Sequence, residues 1–202
     1  GLLDTYSGAA AAYSLRQLSS TYSGDAIVVT TNGSDSASIG FVNNELDTAS
    51  LEAFAGSGDA YVSVWYDQSG NGNNATQTKF SNMPKIVSGG STILEGGKPI
   101  IQTLPSAQFN VSATLNTSNP TTQFIAGKSG INGVISNTFY ASGNKYILTS
   151  KQGDSANTFI NAPDASYLNG SSFTFTDRDN TYSNTTAQSL ISLYWANPSF
   201  ES

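Results

Sequence analysis

The chain has no cysteine and no histidine. The first absence excludes disulfides, thiolate nucleophiles and sulfur-ligated zinc. The second removes the commonest general base, the usual serine triad and most transition-metal ligand sets. No cofactor is expected, and any catalysis has to rest on Asp, Glu, Lys or Tyr. Charge is also scarce: Asp, Glu, Lys and Arg make up 11% of residues, against about 25% in an ordinary soluble domain. The eight Lys and Arg residues are scattered singly and outnumbered by fourteen acids. Phosphate backbones need clustered positive charge, so nucleic acid is not an expected partner. No apolar run approaches a bilayer span, and residues 1–18 lack the basic start and apolar centre of a signal peptide, so no membrane insertion is expected.

What remains is a chain rich in Ser, Thr, Asn, Gly and aromatics, long enough at 202 residues to bury a core without metal or bridges. Such a hydroxyl- and amide-rich surface is common in extracellular and virion β-proteins. The sequons at Asn32, Asn74, Asn110, Asn116, Asn169 and Asn184 are what so much Asn, Ser and Thr generates by chance, and carry no weight.

"SGAAAAYSLRQLSS", residues 7–20, predicts a short amphipathic helix capped by Ser7, with Ala11, Leu15 and Leu18 on one face. "DAIVVTT" and "SASIGFV" flank the turn-type "NGSD" and predict a hairpin. "LDTASLEAFAGSG" predicts a second helix, capped by Asp47 or Thr48, with Leu51 and Phe54 inward and Gly56 at its end. Beyond it the pattern is β almost throughout. "YVSVWYD", "PKIVS", "STILE", "KPIIQTL", "QFNVSATL", "TTQFIAGK", "NGVIS", "KYILTS", "NTFINA", "SSFTFT" and "SLISLYW" are short and bounded by Gly, Pro, Asn or Asp. So many short strands predict an all-β, two-sheet antiparallel sandwich of jelly-roll type with one or two short N-terminal helices. No linker marks a boundary, so residues 1–202 read as one domain, compatible with membership of a longer chain.

The stretch "WYDQSGNGNNATQ", residues 65–77, concentrates the functional candidates. Trp65, Tyr66, Asp67, Asn71, Asn73 and Asn74 combine flat rings with amide and carboxylate groups, the mixture that meets a sugar's apolar face and hydroxyl rim. Asp67, Ser69, Asn71 and Asn73 alternate, with Gly72 at the sixth place of a loop resembling an EF-hand, which makes them a calcium candidate. One carboxylate is little charge for a tight site, and a strand precedes the loop. A structural role explains the same residues: Asp67 and Ser69 accept backbone N–H groups while Gly70 and Gly72 supply positive φ. Trp195 reads as core or edge packing. Glycoside hydrolysis needs two carboxyls across a cleft. Asp177 and Asp179 in "FTFTDRDN" are the best pair, but Arg178 and Asn180 make that segment read as a hairpin tip.

The run "AYSLRQLSSTYSGDAIVV" followed by "YDQSGNGNNATQ" resembles the N-terminal half of the catalytic domain of fungal α-L-arabinofuranosidase B. It is equally similar to concanavalin A-like, laminin-G-like jelly-roll modules of bacteriophage fibre and virion surface proteins and of bacterial surface proteins. The resemblance spans residues 3–104 and implies a concanavalin A-like jelly roll. The arabinofuranosidase family relies on cysteine bridges here, which this chain lacks, and its carboxylates lie in a half that does not align, so no catalytic role carries over. The resemblance to the phage modules implies a non-enzymatic structural, decoration or fibre module on a virion or extracellular surface. Its expected partners are other copies or surface proteins, with host glycans as multivalent ligands. The alternatives are an arabinofuranosidase-like hydrolase and a purely structural assembly subunit.

Overall fold

The structure is a computed structural model that describes residues 1–103, 107, 109–111, 121–127, 140–141, 145–146, 165–174 and 188–195. It is all-β in character, and every strand pairing among the described residues is antiparallel. The chain divides into two compact units, Gly1–Ser112 and Ala113–Ser202.

In the first unit, β1 (Ile27–Thr30) pairs with β2 (Ala37–Ile39), placing Ile27 opposite Ile39 and Val29 opposite Ala37. This is the hairpin expected around "NGSD". Its loop is held by its own residues. The Asp35 carboxylate accepts from the Thr30 hydroxyl at 2.7 Å and the Thr31 N–H at 2.8 Å, while Asn32 Oδ1 accepts from the Ser34 N–H at 2.7 Å. The Thr31 hydroxyl, then Thr30 and two backbone donors, hold the Asp35 pKa down at about 2.

β5 (Ala60–Trp65) is the central strand. One edge pairs with β1; the other is shared by β7 (Lys85–Ser88) near its start and β6 (Ala75–Thr76) near its end. β8 (Ser91–Thr92) extends β7, and β11 (Asn110–Val111) extends β6. α2 (Thr48–Ala55) lies against β2, β7 and β8. Asp47 is its cap, accepting from the Ser50 N–H at 3.1 Å, and it ends at Gly56 as expected. Ile27, Val29, Ile39, Leu46, Leu51, Ala55, Ala60, Val62, Ile86 and Val87 form the core, with Phe54 and Trp65 packed partly buried against it.

Tight hairpins complete the unit: β3 (Phe41–Val42) with β4 (Glu45–Leu46), and β9 (Leu94–Glu95) with β10 (Lys98–Pro99). Asn43 and Asn44 turn the first, both at positive φ, the conformation that matches right-handed strand twist. "STILE" is interrupted at Ile93 into β8 and β9, "KPIIQTL" is strand only at Lys98–Pro99, and the positive-φ pair Gly96–Gly97 turns the chain between them.

The helix expected over residues 7–20 does not form. The only helix before β1 is α1 (Leu2–Thr5), and residues 7–20 run as an irregular strap. Alanine propensity favours a helix by tenths of a kcal/mol per residue. Here it is overridden by side chains of a distant loop, which take the strap's backbone groups for themselves.

In the second unit, β17 (Ser189–Trp195) lies between β12 (Thr121–Gly127) and β15 (Ala165–Leu168), and β16 (Ser171–Ser172) pairs with β15. Between β15 and β16, Asn169 and Gly170 form a positive-φ turn. β13 (Tyr140–Ala141) pairs with β14 (Lys145–Tyr146). "NGVIS", "NTFINA" and the Asp177–Asp179 pair lie outside the described residues, as does the Trp195 side chain.

Candidate functional site

Residues 66–74 form the loop between β5 and β6, whose register sets Trp65 opposite Ala75. Asp67 and Gln68, at its start, are 4% and 3% exposed. A carboxylate and an amide so deeply buried need partners. Asp67 Oδ1 accepts from the Ala12 and Ser69 N–H groups, each at 2.8 Å. Asp67 Oδ2 accepts from the Ser69 hydroxyl at 2.8 Å and the Asn73 N–H at 3.0 Å. The Asp67 N–H itself donates to Asn74 Oδ1 at 3.0 Å.

Gln68 treats the strap as a neighbouring strand. Its N–H donates to the Ala12 carbonyl at 2.8 Å, its Nε2 donates to the Ser14 and Arg16 carbonyls at 2.9 and 3.0 Å, and its Oε1 accepts from the Leu18 N–H at 2.8 Å. Asn71 Nδ2 donates to the Ala9 carbonyl at 2.9 Å, and Asn73 Nδ2 to the Ala10 carbonyl at 2.7 Å. Tyr13 closes the loop from the strap side, its hydroxyl donating to the Asn73 carbonyl. Backbone groups that a helix would have paired internally are satisfied by this one loop. Gly70 and Gly72, at φ 89° and 74°, let the chain reverse over the buried carboxylate.

Trp65 is half-buried, its ring 5.8 Å from Tyr13 and 6.1 Å from Phe109 between centroids, both tilted. Its Nε1 is buried and has no hydrogen-bond partner among the described residues. Tyr66 is half-buried too, and its N–H donates to the Ala26 carbonyl at 3.0 Å. The six sugar-binding candidates therefore come together in space, but Asp67, Asn71, Asn73 and Asn74 direct polar atoms into the protein. The same holds for the calcium candidates. Both Asp67 oxygens are covered by N–H and O–H donors, and Asn71 and Asn73 are oriented by the strap's carbonyls. Among the described residues no cluster of three acidic, His or Cys side chains assembles.

Burial, and then the nearby Asp67 charge, push the Tyr13 pKa up to about 12. Beside the loop is a cleft of about 250 Å³ lined by Leu3, Ser7, Ser19, Tyr22, Gln68 and Ser69 among others, with no carboxylate or cation in its lining. Elsewhere among the described residues, two acids hold neighbouring segments together. Glu52 accepts from the Thr92 N–H at 2.8 Å, and Asp59 pairs with Lys85 at 2.5 Å and accepts from the Gly89 N–H at 2.9 Å. Hydrogen bonds lower the pKa of Asp35, Asp47, Glu52 and Asp59 alike: the first donors are Thr31, Ser50, Thr92 and Lys85.

Gln68 and Tyr13 were not among the sequence-derived candidates. The signal for Gln68 is only that a long amide follows an Asx-turn aspartate, and its side-chain partners lie 50 to 54 positions upstream. Compared with known proteins, the chain matches no family model, no curated protein and no solved structure.

Proposed function

We propose that the chain is a non-enzymatic module of concanavalin A-like, jelly-roll type that works in many copies on a virion or cell surface, as a structural, decoration or fibre unit that recognises host glycans. The observation that carries this reading is the use made of residues 65–77. Their polar side chains fasten the strap to the central hairpin, so the most function-like stretch of the sequence acts as architecture. A glycosidase acid needs a raised pKa, whereas Asp35, Asp47, Glu52 and Asp59 are displaced downward by their hydrogen-bond donors. The antiparallel sheets and weakly charged surface fit a surface module, and weak single sites become effective in multiple copies, where avidity gains about 10²–10⁴.

Incubation with aryl arabinofuranosides and a polysaccharide panel tests the non-enzymatic part. No product above a buffer control is expected. Turnover abolished by Asp177→Asn or Asp179→Asn would establish a hydrolase instead. For the surface part, the chain displayed in many copies on beads is expected to bind cells or glycans that the free chain holds weakly. Beads that bind no glycan but assemble with further copies would favour a purely structural subunit.

A further inference from the structure

We propose that the outward face of the β12–β17–β15 sheet is a platform for a linear, neutral, β-1,4-linked oligosaccharide; this rests on the glycan-recognition reading above and gives it a site. The second unit's sheet presents rings to solvent. Phe124 is 70% exposed, Tyr167 42%, Leu190 45% and Tyr194 37%, whereas Ile191 on the opposite face is 3% exposed. Alternation explains the division, because residues two apart on a strand share a face. Leu190, Ser192 and Tyr194 thus point one way along β17.

Register places the rings in order. Ser192 is opposite Phe124 on β12 and opposite Tyr167 on β15, so the three form one row across the sheet: ring, small hydroxyl, ring. Tyr194, paired with Thr122, stands beside this row on one side and Leu190 on the other. The result is a shallow trough with Ser192 at its floor. Phe124 and Tyr167 are two strand spacings apart, about 9.6 Å, close to the length of a disaccharide. In an extended β-1,4 chain alternate sugars present the same face, so two sugars one disaccharide apart can each lie on a ring. Between them the Ser192 hydroxyl, with Thr122 and the tyrosine hydroxyls at the margin, meets the sugar's hydroxyl rim.

Size and charge choose this occupant over a protein. The face spans roughly 14 Å by 14 Å, about 200 Å², whereas a stable protein interface takes about 800 Å² from each partner. None of these six side chains is charged, while the chain carries a net charge of −6. A neutral ligand fits where an ionic one gains nothing.

The test is native affinity electrophoresis of the full chain in gels containing hydroxyethylcellulose, with dextran as the α-linked control. Retardation by the β-1,4 glucan and not by dextran is expected. Phe124→Ala and Tyr167→Ala should each weaken it about fivefold, while Tyr6→Ala, exposed on the first unit, should leave it unchanged. Phe124→Leu and Tyr167→Leu keep strand bulk and remove only the ring, so they give the same answer should an alanine variant misfold. No retardation, or retardation equal in the double variant that combines Phe124→Ala with Tyr167→Ala, overturns the platform. So does concentration-dependent self-association that the double variant abolishes. Beads carrying many copies separate this from the module reading: glycan binding that survives the double variant overturns the platform alone, whereas product released from the glucan overturns the module reading whatever the face does.

Discussion

The loops at residues 31–36 and 66–74 both join antiparallel strands with Asp, Asn, Ser and Gly, yet they hold different things together. Asp35 bonds within five positions of itself, and its pKa is held at about 2 by near neighbours. Asp67, Gln68, Asn71 and Asn73 bond across 50 to 63 positions to the strap at residues 9–18. The first loop is a turn. The second is a clasp, and its buried carboxylate and amide replace the helix that the alanine run would otherwise make. Similar composition therefore gives different roles according to what backbone lies within reach.

The largest effect that would sharpen this contrast belongs to Asp67→Ala. It leaves the N–H groups of Ala12, Ser69 and Asn73 without their acceptor, and a loss of about 3 kcal/mol is expected in urea titrations, since each bond is to a buried charge. Gln68→Ala should follow at about 2 kcal/mol. An effect of either no larger than that of Asp35→Ala would break the comparison. Removal of calcium by EDTA should leave the melting temperature unchanged, because donors already cover both Asp67 oxygens; a calcium-dependent rise in melting temperature would restore the cation reading.

A smaller effect is expected at alkaline pH. Tyr13 in the unfolded chain loses its proton near pH 10 and in the folded chain near 12. Between these values the folded state holds the extra proton, so stability falls as pH rises. The clasp should loosen over that window, seen as a shift in Trp fluorescence, and Tyr13→Phe should reduce the pH dependence, leaving the part due to Tyr22 and Lys85, whose pKa values are also raised. The smallest effect lies at the acid end. Asp35 is ionised in the folded chain down to about pH 2 but is protonated near 3.8 when unfolded, so its contribution is present above pH 4 and lost as pH falls through 2. Asp35→Ala should flatten that part of the acid titration without altering the strap.

Legibility from sequence followed the range of the interactions. The β1–β2 hairpin and α2 with its Asp47 cap and Gly56 end were readable because their determinants lie within a few residues. The corner role of Asp67 was half readable: the Asx turn to Ser69 is local, but the bond to Ala12 is not. The strap is not legible because helix periodicity at Ala11, Leu15 and Leu18 says nothing about competing acceptors and donors 50 to 54 positions away. The exposed rings of the second unit were also hidden. "TTQFIAGK" and "SLISLYW" read as strands, but their register, which puts Ser192 between Phe124 and Tyr167, depends on a third strand far off in sequence.

Amide hydrogen exchange at Ala12 and Leu18 tests the clasp most directly, since these N–H groups donate to Asp67 Oδ1 and Gln68 Oε1. The account predicts that both are protected in the unaltered chain. Asp67→Ala should release Ala12, and Gln68→Ala should release Leu18, each before the β1 amide of Val29 is affected. Ala12 and Leu18 exchanging at unprotected rates in the unaltered chain, or staying protected in both variants, would contradict it.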